Sequence, residues 1–65
     1  MKSYSSKEVL KKLIEDGWYE VGKEGSHLHL KHPAKKGKVT VTHPKKDIPT
    51  KTIKSIMNIS GVEFD

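Results

Sequence analysis

Two short alternating stretches constrain this chain more than anything else in it. They are His27-Leu28-His29-Leu30-Lys31 and Lys38-Val39-Thr40-Val41-Thr42, joined by Pro33-Ala34-Lys35-Lys36-Gly37. Strict apolar/polar alternation marks a half-buried strand, because successive side chains point to opposite faces. The leucines and valines therefore share one face, and His27, His29, Lys31, Lys38, Thr40 and Thr42 share the other. The pair reads as a hairpin, its first strand running from about Ser26 to His32, with one dry and one wet face. The dry face needs a cover of other elements.

The flanking segments supply that cover. Ser5 and Glu8 form a capping box at the head of a helix running to Asp16, Tyr4 can staple onto Val9, and Gly17 offers the left-handed residue that ends it. Val9, Leu10, Leu13 and Ile14 make its apolar stripe. Trp18-Tyr19-Glu20-Val21 is rich in strand formers, with Trp18 assigned to the core, and the two glycines of Gly22-Lys23-Glu24-Gly25 suit a hairpin turn. Beyond a charged loop with two prolines, His43 to Pro49, Thr50 is a fair N-cap for a second helix. Ile53, Ile56 and Met57 form its buried stripe, Gly61 ends it, and Val62 and Phe64 can fold back onto the core. The order αβββα predicts an α+β fold in one domain over residues 1–65: a three-stranded antiparallel sheet with two helices on one face, the other face free to work.

With 65 residues and no cysteine, the core must rest on packing, since neither disulfides nor thiolate-bound zinc is open to it. No run approaches the roughly 20 apolar residues of a membrane span. The polar start Met1-Lys2-Ser3-Tyr4-Ser5-Ser6 lacks the apolar stretch of a signal peptide, so a cytoplasmic location without membrane contact is expected. The net charge of +5 is uneven: residues 1–30 hold five Lys and five acids, residues 31–54 hold eight Lys against Asp47 alone, and the remainder holds two acids. All 13 basic residues are Lys. Bidentate guanidinium reading of guanine edges is thus closed, and the expected partner is a polyanion held through its phosphates with little sequence preference.

The wet face combines imidazoles with lysines, a mixture suited to cutting RNA. Metal-free cleavage needs a group near neutral pKa to take the 2′-hydroxyl proton and positive charge to stabilise the phosphorane-like transition state. His27 follows Gly25 and Ser26 at the mouth of a hairpin, where backbone approaches a phosphate closely, and this favours it over His29. Ser26 is placed to hydrogen-bond a phosphate oxygen. His27 and His29 lie about 6.6 Å apart on the same face at about 3.3 Å per residue, but no third ligand is evident and no metal or other cofactor is expected. His43-Pro44 reads as a cap on the end of the sheet. Lys51 and Lys54 fall near the start of the second helix, where the dipole disfavours cations, and phosphate docked there beside Lys45 and Lys46 would relieve the repulsion. Candidate RNA contacts are therefore Ser26, His29, Lys31, Lys38, Lys45, Lys46, Lys51 and Lys54. The acid that protonates the leaving oxygen stays open among His29, His43, a lysine and water. A binding module for double-stranded RNA without catalysis is the main alternative.

In this order the residues resemble the HicA family of bacterial toxin ribonucleases along almost the whole chain. The resemblance rests on Gly17-Trp18 after the first helix, the Gly25-Ser26-His27 motif, the segment Val39-Thr40-Val41-Thr42-His43-Pro44, and the helix segment Ile48-Pro49-Thr50-Lys51-Thr52-Ile53-Lys54-Ser55-Ile56 closed by Gly61. It implies a fold like that of double-stranded RNA-binding domains, metal-independent cleavage of mRNA, and His27 as the catalytic residue. It also implies an antitoxin of the HicB type that covers His27, with room for a higher-order toxin–antitoxin complex. Where relatives often carry a basic residue this chain has Gly22, which leaves Lys23 for that role.

Overall fold

A computed structural model describes residues 3–64. Five elements follow the expected order: α1 (Ser6–Asp16), β1 (Tyr19–Glu24), β2 (His27–Lys31), β3 (Val39–Thr42) and α2 (Thr50–Ser60). The strands form one antiparallel sheet in the order β1-β2-β3. Leu28 pairs with Val41 and Leu30 with Val39, so the two alternating stretches share a dry face as their pattern requires.

Both helices contribute to a single core beneath that face, where Val9, Leu13, Ile53 and Ile56 join Trp18, Leu30, Val39 and Val41. The capping box of α1 is formed in both directions, and Gly17 ends the helix at φ 109°. Tyr4 is buried in the same cluster as Val9 and bridges Ile48, drawing the segment before α1 onto the loop before α2. Phe64 folds back as expected and meets the Tyr4 ring edge-on at 5.3 Å.

Three local expectations are corrected. Ile14 is 60% exposed: α1 meets the sheet at β3 through Val9 and Leu13, Leu10 packs partly buried at the edge of the core, and Ile14 alone of the stripe is turned away. Thr50 is the first residue of α2, with Pro49 in the cap position and no side-chain cap bond. The turn predicted over Gly22–Gly25 shrinks to Gly25-Ser26 because β1 continues to Glu24. Gly25 takes φ 59°, the positive value that both favoured two-residue hairpin turns require at their first position. The continuation of β1 is possible because the register slips between Glu20 and Gly22, with Val21 as the extra residue of a bulge. Neither helix covers β1, which leaves Tyr19 and Val21 about half exposed.

Candidate functional site

Cross-strand pairing determines which side chains share the open face. Glu24 lies opposite His27 and His27 opposite Thr42; the next row is Gly22, His29 and Thr40; Tyr19 lies opposite Lys31 farther along. Leu28 and Leu30 between these positions are buried against the helices, which turns His27, His29 and Lys31 outward. The face chosen from alternation alone is thus the face that these residues occupy.

The two histidines of β2 differ in what holds them. The His29 side chain is only 18% exposed. Its Nδ1 lies 3.0 Å from Thr40 Oγ1 and its Nε2 lies 3.3 Å from Glu24 Oε1. An ionised carboxylate only accepts, so in the neutral ring Nε2 donates to Glu24 and Nδ1 accepts from the Thr40 hydroxyl. With both nitrogens engaged, His29 has none left for a phosphate. His27 is exposed and makes no side-chain hydrogen bond among the described residues. It follows the turn directly, and that turn is anchored, because the His43 N–H donates to the Ser26 carbonyl at 2.7 Å. Ser26 keeps its exposed hydroxyl beside His27.

His43 leaves β3 on the opposite side and caps the sheet end over the start of α1. Its Nδ1 is 2.7 Å from Ser6 Oγ, which also accepts the Lys45 N–H at 2.9 Å; the Ser6 N–H in turn donates to the Lys45 carbonyl at 2.9 Å. Ser6 Oγ has a second lone pair and one proton beyond the Lys45 bond, so it meets His43 Nδ1 in either ring tautomer. Ser6, 2% exposed, is the hub that sets the path of the loop carrying Lys45 and Lys46. Sequence reasoning missed it, since a serine one place after a capping serine carries no signal of a contact 37 residues away.

His32, at the other end of β2, has a structural role that alternation did not reveal. Its Nε2 donates to the Asp16 carbonyl at 2.8 Å, while Nδ1 accepts from the N–H groups of Ala34 and Lys35 at 2.9 and 3.2 Å. The ring also stands edge-on to Trp18 at 5.4 Å. Lys35 completes the clasp by donating to the Asp16 carboxylate and, at 2.9 Å, to the Ser60 carbonyl, tying the end of α1 to the end of α2. The Lys35 hydrogen bond holds the Asp16 carboxyl below the usual carboxylate range, against some desolvation, with smaller help from the Lys35 charge, Trp18 and His32.

The lysines fall into three groups. Lys45 and Lys46 follow His43 at the His27 end of the sheet. Lys31, four residues along β2 and so about 13 Å from His27 at about 3.3 Å per residue, belongs with Lys38 to the opposite end. Lys51 and Lys54 are exposed one helical turn apart on α2, in the layer behind the sheet. Lys23, proposed for the role left by Gly22, pairs with Leu28 and so faces away from His27. Among the described residues no three His, Asp or Glu side chains come together as a metal-ligating group, and no helix is long and apolar enough to cross a membrane.

Compared with known protein families, residues 6–62 match the family described as HicA toxin of bacterial toxin-antitoxin. No curated protein matches the chain.

Proposed function

The chain belongs to the HicA toxin family of bacterial toxin–antitoxin systems, and from that premise we propose that it acts as a metal-independent endoribonuclease on mRNA with His27 as a catalytic residue. Cleavage of messenger RNA would stop translation and growth until an antitoxin of the HicB type covers His27 and blocks RNA access. The observation that carries this reading is the placement of His27. It is exposed at the open end of the wet face, beside an anchored Gly25-Ser26 turn and next to the loop of Lys45 and Lys46.

In this mechanism the scissile phosphate lies over the turn, where the Ser26 hydroxyl donates to a non-bridging oxygen. Lys45 and Lys46 offset the charge that develops on the phosphorane-like transition state. His27 serves as general acid or base in the attack of the 2′-hydroxyl on phosphorus, a reaction that leaves a cyclic phosphate on one product. Lys31 and Lys38 contact the backbone farther along the strand. Lys51 and Lys54 lie on the helix layer, and α2 has neither a side-chain cap nor an acidic residue in its first turn. That end suits a phosphate from the same RNA wrapping around the sheet edge, or from a duplex lying across the helices.

The test is incubation of the purified chain with RNA in excess chelator, followed by analysis of the product ends. Cleavage with 2′,3′-cyclic phosphate termini is the expected result. Intact RNA across structured and single-stranded substrates would overturn the enzymatic reading and leave RNA binding alone.

A further inference from the structure

The bulge in β1 decides which of two neighbouring side chains stands beside His27. Counted from Tyr19 with unbroken alternation, Val21 and Lys23 would lie on the open face and Glu24 would turn toward the helices. The extra residue at Val21 reverses this beyond the bulge, so that Lys23 opposes Leu28 and Glu24 opposes His27. Directly opposed residues of an antiparallel pair have Cβ atoms about 4.5–5.5 Å apart. The Glu24 backbone is therefore placed for its carboxylate to reach the same phosphodiester as the imidazole.

That carboxylate is also held. Opposite His29 stands Gly22, where an added Cβ would meet nothing within 4 Å. No side chain at Gly22 stands between Glu24 and His29, and Glu24 Oε1 accepts from His29 Nε2 at 3.3 Å while Thr40 secures the other ring nitrogen at 3.0 Å. Oε2 has no hydrogen-bond partner among the described residues, and the side chain is 85% exposed. A row of threonine, imidazole and carboxylate thus presents one free carboxylate oxygen from the residue paired with His27, on the same face. The other titratable groups on this face are Tyr19, His29 and Lys31, with Lys38 just before β3 at the far end; β3 itself adds only Thr40 and Thr42, and both helices lie behind the sheet.

We propose that Glu24 is the second proton-transfer group of the site, the base that takes the 2′-hydroxyl proton while His27 is the acid that protonates the leaving oxygen. The proposal rests on the reading of His27 as the nuclease residue. A carboxylate is ordinarily ionised near neutral pH, and imidazole is the side chain best suited there to deliver a proton. As the 2′-oxygen bonds to phosphorus, its proton passes to Glu24. The bond from phosphorus to the 5′-oxygen breaks with its electron pair on that oxygen, which takes the His27 proton. The products are a 2′,3′-cyclic phosphate and a 5′-hydroxyl, and transfer of one proton from Glu24 to His27 through water restores the starting state. His29 is a positioning residue in this scheme, acting on RNA only through Glu24.

The experiment is the pH dependence of cleavage of a defined RNA by the native chain, Glu24→Gln and Glu24→Asp. Glutamine keeps an acceptor for His29, and equal unfolding midpoints check that the fold is retained. The native profile should be bell-shaped. Glu24→Gln should cut roughly 100-fold or more slowly and lose the acid limb of the profile, whereas Glu24→Asp should keep that limb at a reduced rate. Glu24→Gln cutting at the native rate with the native profile would overturn the proposal, as would a slower rate that leaves the acid limb in place. If the native chain itself leaves RNA intact, the nuclease reading falls and this pair with it.

Discussion

Alanine at Gly17 is expected to unfold the protein far more easily than alanine at Gly61, although both glycines end a helix. Gly17 has φ 109°, and a Cβ built there lies 2.8 Å from His32 Nε2; Gly61 has φ 73°, and its Cβ would meet only Lys35 Nζ at 3.6 Å, an ordinary van der Waals distance. Each substitution forces an L side chain into the left-handed region at roughly 1–2 kcal/mol. Gly17→Ala must in addition displace the His32 ring. That removes its bond to the Asp16 carbonyl, about 1 kcal/mol net, and loosens the edge-on packing with Trp18, about 0.5–1.5 kcal/mol. The excess for Gly17 is therefore about 1.5–2.5 kcal/mol, which for so small a protein is a gap of roughly 6–20 °C in Tm. Thermal unfolding of the two variants measures it. A double-mutant cycle with His32→Ala sharpens the test, because without the imidazole the cost at Gly17 should fall to its conformational part. Equal losses at the two glycines, or no coupling between Gly17 and His32, would refute the reasoning.

Ser6→Ala strands the Lys45 N–H and the His43 ring nitrogen, so its urea midpoint should fall by the equivalent of about 1–3 kcal/mol; an unchanged midpoint would show that Ser6 is no hub. The Asp16 carboxyl is held below its ordinary 3.8 in the folded protein, chiefly by Lys35. Its contribution to stability is complete above that value and is lost as the pH falls through the lower folded one. Asp16→Asn should accordingly have a lower Tm than the native protein at neutral pH, and the gap should close in acid below pH 3.8. Replacing Lys45 or Lys46 by Gln should weaken binding of single-stranded RNA and lower the log–log salt slope by roughly 0.7 for each phosphate that is no longer neutralised; an unaltered slope places those lysines off the RNA.

The elements and their faces were legible because they follow from local rules. The capping box at Ser5 and Glu8, the left-handed stop at Gly17 and the alternation through Leu28, Leu30, Val39 and Val41 each act within a few residues, and the structure repeats them. The bulge at Val21 was not legible, because two glycines flanking Lys23-Glu24 satisfy a turn as well as a strand. Only pairing with β2 selects the longer strand with its slipped register. That choice matters for the site, since it moves Glu24 from a presumed loop to the place opposite His27. Ser6 with His43, and His32 with Gly17, are contacts between distant segments that leave no periodic trace. The lysines were legible as charge and not as a surface: the run from Lys31 to Lys54 reads as one track, yet the fold divides it between two ends of the sheet and the helix layer behind.

The central claim is that His27 does chemistry while the rest of the surface holds RNA, and single-turnover cleavage by His27→Ala, with RNA affinity and unfolding midpoint measured on the same preparation, tests it most directly. Because His27 is exposed and makes no side-chain hydrogen bond among the described residues, its loss should leave fold and affinity near native. Cleavage should drop by roughly 100-fold or more, the usual contribution of a positioned acid or base. A His27→Ala chain that binds, folds and cuts like the native one would contradict the claim.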